Sequence, residues 1–196
     1  MGAEADKSKE KPPELLDVVD PATGLVVESG VARDRIHAEG LWHRTVHIYV
    51  MRQGPDGLEV LVHLRSPKRK QYPNTLDPAM GGHVKTGKSP EETALDELEQ
   101  EVGLSVRGSE LIPCGEVKKD DPVHAPNDRE INNIFIYWTK PEDQMDYDEE
   151  EIAGTEWVSL DALQELHKKE PTAWRPSEAE LANDVAKVRA KLGQGM

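Results

Sequence analysis

The sequence predicts a mixed α/β domain, and three observations carry that prediction. Residues 44–51 (RTVHIYVM) alternate with the period of a strand, and a second apolar run, 58–64 (LEVLVHL), follows across the turn sequence QGPDG. Residues 89–104 (SPEETALDELEQEVGL) carry helical signals at both ends. Strand-like runs then recur near 112–119, 131–138 and 155–158, interspersed with helical stretches.

Residues 1–13 (MGAEADKSKEKPP) are polar and end in prolines, the composition of a disordered tail. A short apolar-acidic run, 14–20, closes on the turn-like PATG, and 25–31 reads as a short strand. In the 44–64 hairpin, Val46, Ile48 and Val50 share one face while His47 and Tyr49 take the other, so its first strand is expected to be half-buried. Residues 65–83 hold three prolines and read as irregular. Ser89 then opens a helix: Pro90 takes the first helical position, and Glu92, three residues after the serine, completes a capping box. Leu95, Leu98 and Val102 form its apolar stripe and Gly103 stops it. Helices are expected at 159–168 and 177–192, with Ser159 and Ser177 placed as caps. There are no repeats. Residues 14–196 read as a single domain with a helical C-terminal extension, which would cap the sheet or pair with a second subunit as a homodimer.

Composition narrows the function. The chain has 196 residues and a net charge of −14, from 24 basic and 38 acidic side chains. That balance opposes coating of nucleic acid or binding of an anionic membrane, which need positive surface. No apolar run approaches the roughly 20 residues that span a bilayer. The single cysteine, Cys114, permits neither an internal disulfide framework nor a CxxC zinc site. The first 13 residues lack the apolar segment of a secretory signal. These features point to a cytoplasmic setting.

The acidic helix carries the chemistry. It holds six carboxylates (Glu91, Glu92, Asp96, Glu97, Glu99, Glu101) and no Lys or Arg. Glu97 and Glu101 are four apart and stack on one face, near the helix C-terminus where the macrodipole disfavours negative charge. Such a pair needs water or a cation. Hard divalent cations such as Mg²⁺ take oxygen ligands and are shared between carboxylates and substrate phosphates. Gly81-Gly82 precedes the helix and permits close backbone approach to a ligand. Arg65, Lys68, Arg69 and Lys70 are the densest basic cluster in the chain. Together these groups suit a diphosphate held by basic side chains and metal. Taken singly, they also read as a solvated helix face and a solubilising loop.

At this point the sequence resembles the Nudix superfamily. Its signature is a Gly, five residues, a Glu, seven residues, then Arg-Glu-aliphatic-any-Glu-Glu-any-Gly-aliphatic. Gly82, Glu97, Leu98, Glu101, Gly103 and Leu104 fall in register, while Lys88, Asp96 and Gln100 depart from it. The segments GLWHRTVHIYV, LRSPKRKQYPNTLDPAMGGH and EIAGTEWVSLDAL further resemble the Nudix branch related to isopentenyl-diphosphate isomerase. The resemblance spans roughly residues 14–170. It implies an α/β/α sandwich around a mixed central sheet and a cofactor of Mg²⁺ or Mn²⁺. Glu97 and Glu101 would be metal ligands and catalytic residues, one of them orienting or deprotonating the attacking water, and Gly82 would lend its carbonyl. By the same resemblance His37, His43, His83, Asp128 and Glu130 would form a further metal site. Arg65, Arg69 and Lys70, with His83, would bind the substrate's phosphates.

The implied function is metal-dependent hydrolysis of a pyrophosphate bond in a nucleoside diphosphate derivative or a similar small phosphorylated metabolite. The three departures also allow a catalytically weakened diphosphate-binding or regulatory protein. Gln100 ligates only as a neutral oxygen, and Asp96 adds repulsion beside Glu97, so weaker metal binding is expected. Isomerase chemistry is opposed by Gly81, which stands where that enzyme has its cysteine and can act as neither acid nor base. Trp42, Trp138 and Trp157 read as sheet-face aromatics, Cys114 as a buried small apolar residue, and His47 as an ordinary hydrogen-bonded side chain. The run Asp148–Glu151 reads as a solvated loop, with an additional ligand or base as its functional alternative.

Overall fold

A computed structural model describes residues 12–120 and 127–194; most of the expected N-terminal tail, residues 1–11, lies outside them. Two short strands, β1 (Leu15–Val19) and β2 (Val26–Ala32), pair antiparallel. The Asp20 side chain closes the turn between them, accepting from the Ala22 and Thr23 N–H groups at 3.0 and 2.7 Å. A helix absent from the sequence reading, α1 (Arg33–Glu39), follows and ends at Gly40 in the left-handed region, φ 65°. Seven residues bury only Ile36, too little apolar periodicity to announce a helix.

The main sheet is built on β3 (His43–Gly54). β3 pairs antiparallel with β4 (Gly57–Arg65) at its far end, as the hairpin pattern predicts. The region read as irregular contains two further strands, β5 (Leu76–Asp77) and β6 (Met80–His83). β6 lies antiparallel along the first half of β3, with Thr45 opposite His83 and His47 opposite Gly81. The double glycine hid this strand, because glycine lowers strand propensity unless another backbone or a ligand approaches closely. After α2 (Pro90–Val102) come β7 (Leu111–Asp120), β8 (Arg129–Trp138) and β9 (Ile152–Ser159). β8 runs parallel to β3 and antiparallel to β7, while β9 pairs antiparallel with β4. The sheet is therefore mixed.

Helices cover both faces, which gives the α/β/α sandwich. Val46, Ile48 and Val50 pack against Ala94, Leu98 and Val102 of α2. Tyr49 and Met51 point the other way, into a cluster with residues of α3 (Leu163–Lys169) and α4 (Glu178–Leu192), among them Leu163, Leu181, Val185 and Val188. β3 is consequently buried on both faces rather than half-buried. The C-terminal helix caps the sheet. No helix among the described residues is long and apolar enough to cross a membrane.

The caps divide. Ser177 accepts from the Glu180 N–H at 3.2 Å, as expected. Ser159 does not cap α3: it pairs with Glu59 at the end of β9, and the helix starts four residues later behind Ala162 with no side-chain cap. The capping box of α2 is complete. Ser89 Oγ accepts from the Glu92 N–H at 3.1 Å, Glu92 Oε2 accepts from the Ser89 N–H at 2.8 Å, and Gly103 turns left-handed at φ 69°. Replacing Ser89 by Ala removes the Oγ that accepts from the Glu92 N–H and should cost about 1 kcal/mol in urea denaturation. An unchanged midpoint would contradict the assignment of this cap.

Candidate functional site

An open cleft of about 1540 Å³ lies where β6 takes over from β4 along β3. Its walls are the β3 segment 45–47, the β6 segment 81–83, the inner face of α2, the loop after β4 and the acidic segment before β9. Three groups of polar side chains meet there.

The first group is a cluster of histidines. His37 from α1, His43 from β3 and His83 from β6 bring their rings to centroid separations of 5.0–5.3 Å, with a nitrogen of each within 4.8 Å of the others. Strand pairing supplies the acids: β8 sets Glu130 beside His43, with Nε2 and Oε1 3.9 Å apart, and Asp128 lies 3.5 Å from His37. His43 Nδ1 is 3.0 Å from the Leu41 carbonyl oxygen. A carbonyl only accepts, so that nitrogen carries the proton and Nε2 presents a bare lone pair. Burial holds the His43 ring below its ordinary pKa, and burial with the neighbouring His43 holds His83 well below its own. His37 Nε2, His43 Nε2 and Asp128 Oδ1 are buried without a hydrogen-bond partner. Unpartnered imidazole nitrogens beside two carboxylates form a donor set that fits a divalent cation.

The second group stands on α2. Glu97 and Glu101 line the cleft on the same helix face. Burial raises the Glu97 carboxyl to about 7, with Lys85 opposing and Glu151, Glu14 and Asp96 adding. Burial and the Glu97 charge push Glu101 well above its ordinary value, and Glu101 Oε2 has no hydrogen-bond partner. Gly82 fits against this pair closely: a Cβ there would fall 2.3 Å from Glu97 Oε1. A buried and a half-buried carboxylate this close, with so little positive charge around them, are also suited to a divalent cation.

The signature departures take clear positions. Lys88 and Asp96 pair with each other, so these two positions carry an ion pair of reversed polarity relative to the signature. Asp96 does add repulsion to Glu97, as expected, and the Lys88 ammonium partly offsets it. Gln100 is exposed at the cleft edge.

The basic loop is less free than its sequence implies. Arg69 is paired with Glu151 and Lys68 with Glu150, while Ser66 hydrogen-bonds the backbone of Glu149 and Glu151. The acidic run is thus a clamp on this loop rather than a purely solvated stretch. Arg65 turns inward, 3.8 Å from Asp77, and its buried Nε has no hydrogen-bond partner. Lys70 lines the cleft. His83 joins the histidines and lines the same cleft as Arg65, Arg69 and Lys70. The tryptophans do not line the cleft; Trp157 lies under the Arg52 guanidinium at 4.2 Å. Cys114 packs at the core edge, and burial pushes its thiol up to about 11.

A third group was missed by the sequence reading. Lys119 of β7 reaches Asp128, Glu130 and Glu180 at 3.1, 3.4 and 3.6 Å. Although burial opposes its charge, these acids hold the ammonium above its ordinary pKa. Arg175 pairs with Asp77 and lies 3.7 Å from Glu180. His47 and Tyr49 converge on Asp184 of α4. Glu180 and Asp184 belong to a helix with alternating charges, which reads as solvated until the sheet beneath it is known.

Comparison with known proteins bears on the family and the fold. The NUDIX domain model matches residues 41–179. An uncharacterized Nudix hydrolase of Clostridium acetobutylicum is 30% identical over 151 residues, 76% of this chain and 72% of the relative. An isopentenyl-diphosphate Delta-isomerase of Streptomyces coelicolor is 26% identical over 163 residues, 82% of this chain and 79% of the relative. A solved structure from Deinococcus radiodurans superposes with a TM-score of 0.68 at 21% identity, covering 89% of this chain and 98% of that one. At that identity the likeness speaks for the fold alone.

The α2 carboxylates predict a pH dependence. Glu97 titrates near 7 in the fold against 4.5 ordinarily, so the folded chain keeps a proton that the unfolded chain releases. Stability of the metal-free protein should therefore fall as pH rises from about 4.5 to about 7. Thermal unfolding in chelator should give a Tm that falls between pH 5 and pH 8 relative to that of Glu97→Gln, whose histidines titrate in the same way, and Mg²⁺ or Mn²⁺ should restore it at pH 8. A flat profile that metal leaves unmoved would contradict this account of the pair.

Proposed function

The chain belongs to the Nudix hydrolase family, and on that premise we propose that it is a metal-dependent hydrolase cleaving a pyrophosphate bond in a nucleoside diphosphate derivative or similar small phosphorylated metabolite. The observation that carries this reading is the pair of buried Glu101 and half-buried Glu97, both held at raised pKa, with Glu97 set against Gly82 in the cleft. These two carboxylates with the Gly82 carbonyl would hold one Mg²⁺ or Mn²⁺. His37, His43, His83, Asp128 and Glu130 would hold another. Bound there, such cations neutralise a diphosphate and promote attack by water on phosphorus.

The chain's own residues do the rest. Glu101, the more deeply buried acid, orients the attacking water and accepts its proton. A phosphorus–oxygen bond to water forms as the bridging bond breaks. Arg65, with its unpartnered Nε, and Arg69 and Lys70 on the clamped loop bind the phosphate oxygens and stabilise charge on the departing group. Gln100 contributes no charge, so the metal requirement is expected at higher concentration than a fully acidic box would need. We place the activity in the cytoplasm.

The isomerase alternative is opposed by the backbone as well as by sequence. A Cβ at Gly81 would fall 2.2 Å from the Val46 carbonyl oxygen, so β6 at this spacing has no room for a cysteine. The uncharged Gln100 favours one second reading, a diphosphate-binding protein with weakened catalysis.

One assay separates the two. Phosphate or pyrophosphate release is measured over a panel of nucleoside diphosphate derivatives with Mg²⁺ and with Mn²⁺, for the native chain and for Glu101→Gln. The proposal expects metal-dependent release that drops by at least about 100-fold in the variant. Binding without release in the native chain would move the function to the second reading.

A further inference from the structure

The polar side chains between the sheet and α4 have no part in the reaction above. His47, like Lys119 and Arg175, reaches the cleft. Its side chain is only 7% exposed, and the residue lines the cleft. One ring nitrogen, Nδ1, lies 2.7 Å from Asp184 Oδ2, and the Tyr49 hydroxyl donates to the same oxygen at 3.3 Å. The other, Nε2, makes no hydrogen bond among the described residues. Gly81 stands opposite His47 in the β3–β6 pairing and leaves the ring edge uncovered; a Cβ there would come within 3.5 Å of His47 Cδ2.

The surroundings show what Nε2 can meet. A ring nitrogen of His47 lies within 4.8 Å of oxygens of Glu130 and Glu180. Cations already stand beside those acids: Lys119 lies 3.4 and 3.6 Å from them and Arg175 lies 3.7 Å from Glu180, although Glu180 Oε1 still lacks a hydrogen-bond partner. A further metal ion on the His47 side of these acids would meet the Lys119 ammonium and the Arg175 guanidinium. An anion does gain, from an N–H donor backed by Asp184 and flanked by Lys119 and Arg175, both of which line the same cleft. Asp184 and Glu180 lie beyond residue 179, where the match to the family model ends.

We propose that His47 contacts the substrate directly, donating an Nε2–H hydrogen bond to an anionic oxygen of the bound diphosphate, and that Asp184 is its positioning residue. The C-terminal helix then completes the active site. The choice of diphosphate as ligand rests on the hydrolase reading above. With Nδ1–H directed at Asp184, Nε2 carries a proton only in the imidazolium form. A carboxylate on one side and a phosphate oxygen on the other both favour that form. Burial opposes the charge, and Asp184 raises the pKa of the ring above its ordinary value.

The test uses the full chain, labelled with nitrogen-15, and inorganic pyrophosphate with Mg²⁺ as the probe. Imidazole spectra of the native protein follow each ring nitrogen during titration, while calorimetry records saturation. The expected result is a shift of the His47 Nε2 resonance that tracks pyrophosphate binding, with Nδ1 still hydrogen-bonded. Asp184→Asn, which keeps an acceptor but removes the charge, should weaken pyrophosphate binding about tenfold while Mg²⁺ binding alone is unchanged. Saturation that leaves His47 unmoved would overturn this inference and leave the hydrolase reading standing. Failure of the native chain to bind pyrophosphate at all would overturn both. The native spectra carry the decision, so it stands even if Asp184→Asn fails to fold.

Discussion

Everything at the site depends on the pairing of β3 with two different strands along its first half. β6 on one edge and β8 on the other fix which side chains share a row: Thr45 faces His83 and Asn132, and His43 faces Glu130. The period-two alternation of β3 sends Val46, Ile48 and Val50 to the α2 core, and Tyr49 and Met51 to the α4 core. A slip of one residue would exchange those sets, burying His47 against α2 and exposing the valines to the polar network. The two large apolar clusters therefore hold the register, and the register holds the histidines, Gly82 and Glu130 in place.

The two sides of the cleft balance charge differently, and that contrast divides their roles. On the α4 side, Lys119, Arg175 and His47 answer Glu180, Asp77 and Asp184 within the fold. Such a network loses desolvation energy and regains much of it through its own ion pairs, although Glu180 Oε1 and Asp184 Oδ1 stay without hydrogen-bond partners. On the α2 side, Glu97 and Glu101 have raised pKa values and no ion pair among the described residues, and the histidine cluster holds unpartnered nitrogens. That half is complete only with added positive charge. A diphosphate bridging the halves would meet cations on one side and fixed donors on the other.

Much of this was legible in the sequence where local chemistry dictates the outcome. The Ser89–Glu92 box, the Gly103 stop and the β3–β4 hairpin are short-range signals, and the structure contains each of them. The gathering of His37, His43, His83, Asp128 and Glu130 was anticipated by resemblance, and the fold brings them together. What was not legible depends on long-range pairing. β6 is half glycine and becomes a strand only because β3 offers a backbone partner. Ser159 looked like a cap, but its place in the β4–β9 ladder takes precedence. Lys119, Glu180 and Asp184 resemble ordinary surface charges along their own elements, and only the packing of α4 over β7 and β8 buries them together. The reversed Lys88–Asp96 pair shows the same limit: each departure looks disruptive alone, and the two meet in space.

The central claim is that the cleft's unpartnered donors are built for divalent cations. The most direct measurement is an anomalous difference map from crystals grown with Mn²⁺. The account predicts one peak beside Glu97, Glu101 and the Gly82 carbonyl, and another among His37, His43, His83, Asp128 and Glu130. An ordered cleft at saturating Mn²⁺ with no peak at the α2 carboxylates would contradict it.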